Sequence, residues 1–200
     1  MSTTADAVQS ETDPQKYLWY FVYVVIMVVT GIPMFVEVRM PLIMSQVSLL
    51  VIHEFSGFLF VGHTLFSNIW AMRIRMTQPV ETGVWARGFL RKLALSITLP
   101  TSIISPLAGL LLMRYYGGLA ANPWAWNAYL AFWLMAGISI VPDVIRYGRN
   151  RHSDDPRHGV MSGAIRGNFG TVMVIYILWC MITKQALIAG NIIPLAGNAY

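Results

Sequence analysis

Charge is scarce in this 200-residue chain: Asp, Glu, Lys and Arg make up 12% of it, against 56% hydrophobic residues. A soluble domain carries roughly 25% charged residues, so a surface wetted on all sides is excluded. Cysteine is nearly absent. The single Cys180 rules out an intrachain disulfide, a C-x-x-C redox pair and a C-x-x-C-H haem attachment. No G-x-S-x-G, Walker A, H-E-x-x-H or glycine-rich dinucleotide fingerprint occurs, which leaves hydrolase, NTPase and soluble dehydrogenase readings without a site. The ten-residue alternation of a membrane barrel is missing as well.

What the chain does have is five apolar blocks, at about 17–36, 46–72, 92–113, 124–147 and 169–190. Each is close to the ~20 residues a helix needs to cross ~30 Å of hydrocarbon. Backbone groups in lipid must bond within their own segment, so the blocks are expected to be helices. The expected fold is an all-α polytopic membrane protein with five transmembrane helices, in which spans two to five form a four-helix core and span one lies alongside. Residues 1–15 read as a disordered cytoplasmic leader, 16–190 as one transmembrane domain, and 191–200 as a short extracytoplasmic tail. The leader lacks a basic n-region and no A-x-A site follows the first block, which argues against a cleaved signal peptide.

The net charge of +5 follows topology. Arg73, Arg75, Arg87, Arg91 and Lys92 fall in one connection, and Arg146, Arg149, Arg151, Arg157 and Arg166 in or beside another, whereas the alternate connections hold only Arg39 and Arg114. Short basic loops stay cytoplasmic. The expected location is a bacterial inner membrane, multi-pass, with the N-terminus cytoplasmic and the C-terminus periplasmic. Anionic headgroups then account for the positive charge, and a nucleic-acid partner has no support. The expected partners are the bilayer and other membrane subunits or further copies of the chain.

Span two is the most polar. His53, Ser56, Gly57, Phe60, His63, Thr64, Ser67 and Trp70 fall along one helical stripe. An intramembrane histidine is a functional-site hypothesis by default. The two imidazoles are ten residues apart, ~15 Å along a helix, so they share a face but not one small site. Span three is interrupted by Pro100 and Pro106, and its Thr101, Ser105 and Gly109 form a small-residue ridge suited to close helix approach. Carbonyls released by the prolines need donors, so this helix is expected inside the bundle.

His53 and His63 are candidate haem ligands, with Phe60, Gly57 and Gly62 as candidate cofactor contacts. No other span offers a histidine, so the second axial position would stay open or fall to Met27, Met113, Met135, Met173 or Met181. The other reading is that both histidines bond to Ser, Thr or carbonyl groups and hold the bundle together, or handle protons. Copper is a further candidate, because thioethers suit Cu(I) and Met34, Met40 and Met44 cluster near the outer end; methionine is also routine filler in apolar helices. Glu54 is expected to pair with Lys184 or Arg39, and Asp143 with Arg146. His152, Asp154, Asp155 and His158 form a mixed loop cluster for which solvation is a commoner role than metal binding.

From His53 to about Arg149 the chain resembles a bacterial family of integral-membrane proteins of unassigned function, itself similar to the copper-resistance protein D membrane domain and to HemJ-type protoporphyrinogen oxidases. The likeness rests on His53 with Ser56, on FVGHTLFSNIWAMRIR with Gly62, Trp70 and Arg73, on LPTSIISPLAGLLLM with Pro100 and Gly109, and on PWAWNAYLAFWLMAGISIVPDVIRYGR with Trp124, Gly137 and Pro142. HemJ-type enzymes are thought to hold haem b through the histidine that His53 matches. Their further key residue is a lysine on a later helix; the lysines that follow span two here are Lys92, at the edge of span three, and Lys184, in span five. The function this points to is a haem b-binding electron-transfer or oxidoreductase subunit. The alternatives are a non-catalytic accessory or assembly subunit of a larger complex, and a small copper transporter.

Overall fold

A computed structural model describes residues 14–36, 38, 40–140 and 160–188. Helices α1 (Pro14–Gly31), α2 (Gln46–Thr77), α3 (Val80–Leu93), α4 (Leu99–Met113), α5 (Pro123–Met135) and α6 (Val160–Thr183) account for most of them, and no strand occurs among the described residues. Three helices are long and apolar enough to cross a bilayer: Gln46–Thr77, Ser96–Tyr116 and Gly163–Thr183. These carry the second, third and fifth expected spans. The first corresponds to α1 with the 3-10 turn Ile32–Met34 that follows it, which together hold the shorter apolar helix Val24–Met34, and the fourth to α5 with the π-turn Ala136–Ile140 that follows it. Residues 141–147, the Asp143–Arg146 pair, Arg39 and the 152–158 cluster lie outside the described residues.

The connection expected at 73–92 is instead helical. α2 runs on to Thr77, and α3 begins directly after Gln78–Pro79 and leads through a π-turn, Ala94–Thr98, into α4. The π-turn has a local cause. Pro100 has no N–H and its ring crowds the carbonyl four residues earlier, so the preceding turn widens. At the other end Gly117 (φ 82°) and Gly118 (φ 95°) reverse the chain. Gly118 N–H closes on the Met113 carbonyl at 2.8 Å, and Asn122 Nδ2 donates to the carbonyls of Tyr116 and Gly118.

α2 packs along α4, α5 along α6, and α2 also touches α6. The α4 span is the most buried of the three crossing helices, 33% of its apolar window against 17% for each of the others. This agrees with the expectation drawn from its prolines. Two apolar clusters fill the bundle: Met27, Phe60, Phe132, Met135, Ala136 and Val174 form one, and Met34, Leu110, Met113, Leu119, Ala125, Trp126 and Tyr129 form the other, with Trp133 packed against both. Lipid tails are as apolar as these side chains, so packing and interhelical hydrogen bonds must supply the association energy. Such bonds tie every major contact. Asn68 Nδ2 of α2 donates to Gly167 O (3.1 Å) and Thr171 Oγ1 (3.0 Å) of α6, and Trp126 Nε1 of α5 donates to Met34 O at 3.1 Å.

Candidate functional site

Both histidines of α2 face α4, and each meets it through Nδ1. His53 Nδ1 lies 2.8 Å from the Ser105 carbonyl oxygen. A carbonyl can only accept, so Nδ1 carries the proton in the neutral ring and Nε2 keeps its lone pair. The Ser105 hydroxyl is 3.4 Å from both Nδ1 and the His53 carbonyl. Gly109, one turn further along α4, makes the approach possible. A Cβ there would stand 2.9 Å from His53 Cε1 and 3.0 Å from Nδ1. The small-residue ridge legible in the sequence is thus the seat of the imidazole.

His63 repeats the arrangement nearer the basic end. Its Nδ1 is 2.6 Å from Thr98 Oγ1, at the last residue of the proline-driven π-turn. Its Nε2 is buried without a hydrogen-bond partner, as is Trp133 Nε1 on α5. An unpaired polar nitrogen inside an apolar bundle costs about 1–3 kcal/mol, so His63 has room in its chemistry for one more partner.

Of the other expected contacts, Phe60 is buried and meets Phe132 edge-on with centroids 6.1 Å apart. Gly57 lies against the Ser105 hydroxyl, while Gly62 has nothing within 4 Å of its Cβ position. Met34 is buried in the second apolar cluster and Met40 packs against it, whereas Met44 is 47% exposed. Their backbones are tied down: Arg114 donates to the Met40 carbonyl, and Tyr115 Oη to the Met44 carbonyl at 2.9 Å. Among the described residues no group of three or more His, Cys, Asp or Glu side chains could hold a metal ion.

Near the end of α6, Lys184 Nζ sits 3.8 Å from the Trp124 ring centroid. The sequence points to both histidines and to the kind of partner, a Ser, Thr or carbonyl group, but not to which residues supply it. Ser105 was visible only as a small residue, and Thr98 carried no signal apart from its place two residues before Pro100.

These contacts are the surroundings an axial imidazole needs. A ligating histidine ordinarily donates its second ring N–H to a carbonyl, carboxylate or hydroxyl, which fixes the tautomer and the ring plane. His53 has that bond with Nε2 left over, and His63 has a comparable bond with a buried Nε2 unused. Each ring thus keeps an Nε2 lone pair for a group that accepts an imidazole nitrogen, half-buried at His53 and enclosed at His63. No family model, curated protein or solved structure matches the chain.

Proposed function

We propose that this protein is an inner-membrane haem b-binding subunit of electron-transfer or oxidoreductase type, built on five transmembrane helices with the α2–α4 pair at its centre. The observation that supports this reading is the His53 Nδ1–Ser105 carbonyl bond of 2.8 Å, which leaves Nε2 as a fixed lone pair on a half-buried ring. His53 is the first ligand and His63 the second candidate. Ser105 and Thr98 hold the two rings in plane, and the apolar clusters exclude water. A bound haem would supply one-electron chemistry at its iron; the chain supplies orientation, a low dielectric and ligand basicity. Likeness to the HemJ and copper-resistance protein D group is part of the same proposal, resting on the His53–Ser56, Trp70 and Gly109 positions.

The test is an absorption spectrum of detergent-purified protein, expressed with ample haem supply, oxidised and then dithionite-reduced. A Soret band that disappears in His53→Ala is expected. A colourless wild-type protein would sink the proposal. The same bonds also favour a second reading, an accessory subunit in which the histidines serve as interhelical glue. In that case the protein is colourless and His53→Ala lowers stability alone.

A further inference from the structure

The basic end of the α2–α3–α4 hairpin carries an aromatic shelf that the proposed haem chemistry does not use. The Trp85 and Phe89 rings of α3 stack with centroids 5.7 Å apart at an interplanar angle of 1°, and Trp70 of α2 meets Phe89 at 6.4 Å and 64°. The shelf is open: Trp85 is 63% exposed, Phe89 44% and Trp70 37%. Among the described side chains of α3, Ala86 alone is buried.

Helix arithmetic gives its depth. Lys92 and Arg114 bound an apolar run of 21 residues on the α3–α4 rod and stand ~33 Å apart at 1.5 Å per residue, close to the ~30 Å hydrocarbon thickness. Lys92 then stands at one boundary. Phe89 and Trp85 lie one and two turns beyond it, with Trp70 beside Phe89 at the same level. In water three open rings would be a liability, whereas in the headgroup layer such rings are at home. The charge around them has one sign. Residues 73–92 hold five basic side chains against the single acid Glu81, and Arg73 and Lys92 are both exposed within about a turn of the ring level.

We infer that this end of the hairpin binds anionic phospholipid, with the headgroup phosphate taken by Arg73 and Lys92 and the glycerol and headgroup laid against the Trp70–Phe89–Trp85 shelf. The occupant is a lipid of the surrounding leaflet. A zwitterionic lipid would satisfy the rings but not the excess of cations, and a soluble acidic partner would not need rings at the headgroup level.

The experiment uses the full-length protein in nanodiscs of phosphatidylcholine containing one-fifth phosphatidylglycerol, with native mass spectrometry counting the phosphatidylglycerol retained on ejection. Wild type is expected to enrich phosphatidylglycerol over phosphatidylcholine, with the enrichment falling about fivefold for each of Arg73→Gln and Lys92→Gln and weakening in high salt. Trp85→Phe should retain it and Trp85→Ala reduce it. Arg114→Gln, at the other end of the rod, should leave it unchanged. Circular dichroism of each variant separates lipid loss from misfolding. Equal retention of the two lipids by wild type, or equal loss with Arg114→Gln and Arg73→Gln, would overturn the proposal. The outcome is independent of haem, since the lipid count is read on coloured and colourless protein alike.

Discussion

His53 is positioned by two residues that carry no functional chemistry of their own. Ser105 contributes a backbone carbonyl, and Gly109 contributes the absence of a methyl group. Gly109→Ala would put a carbon 2.9 Å from Cε1 of the ring, so either the imidazole leaves the Ser105 carbonyl or α2 and α4 separate. Both outcomes forfeit packing, with an expected loss of about 1–3 kcal/mol. Gly62→Ala on α2 is the control, because nothing lies within 4 Å of that position; there the helix should gain a few tenths to about 1 kcal/mol. Thermal unfolding in detergent compares the two. Similar melting temperatures for both variants would mean that Gly109 is not the seat of His53. The histidines could be read from the sequence because ionisable groups in apolar runs are conspicuous. Their partners were not, because a carbonyl acceptor is supplied by any residue, and only the fold says which one comes within 2.8 Å.

The long connections hide more than the spans do. Residues 73–92 are too polar to register as an apolar block, yet nothing between Pro79 and Pro100 breaks a helix, and Ala86 and Phe89 give α3 a side that packs on α2. Hydropathy reports which helices lie in lipid; it is blind to helices that extend beyond it. The segment after α6 is a second case. It folds back over α5 because of Asn127, which is fully buried with every polar atom engaged. Asn127 Nδ2 donates to Pro123 O (2.9 Å) and Ile188 O (3.1 Å), and its Oδ1 accepts from Tyr176 Oη (2.8 Å) and Ile188 N (3.3 Å). Asn127→Leu removes the hub and leaves both Ile188 backbone groups short of a partner, with an expected cost of about 2–4 kcal/mol. Tyr176→Phe removes one donor and should cost about 1 kcal/mol. Limited proteolysis at 184–188 alongside thermal unfolding should rank wild type, Tyr176→Phe and Asn127→Leu in that order of increasing sensitivity. Equal protection in all three would remove Asn127 as the clamp.

Taken together, the elements make a molecule whose two ends differ in charge and whose middle is joined by polar contacts between helices. Asn68 ties α2 to α6 toward the basic end, Asn127 ties α5 to α6 toward the other, and the two histidines tie α2 to α4 in between. Interhelical hydrogen bonds in bilayers contribute on average about 0.6 kcal/mol each, so no single tie fixes the arrangement and the set acts jointly. Such a bundle has a defined direction across the membrane, and the chain carries the means to read it. Cys180 is the only cysteine and is buried, so the native protein should stay unlabelled by a membrane-impermeant maleimide. Thr77 closes α2 at the basic end, and Ala120 lies in the exposed turn between α4 and α5 at the opposite end. If positive charge holds the basic end in the cytoplasm, Ala120→Cys reacts in intact spheroplasts and Thr77→Cys reacts only after lysis. The reverse pattern would invert the molecule. Labelling of both from outside would mean that α2 and α4 do not cross the bilayer as a hairpin, and His53 would then lose the membrane setting on which its proposed role depends.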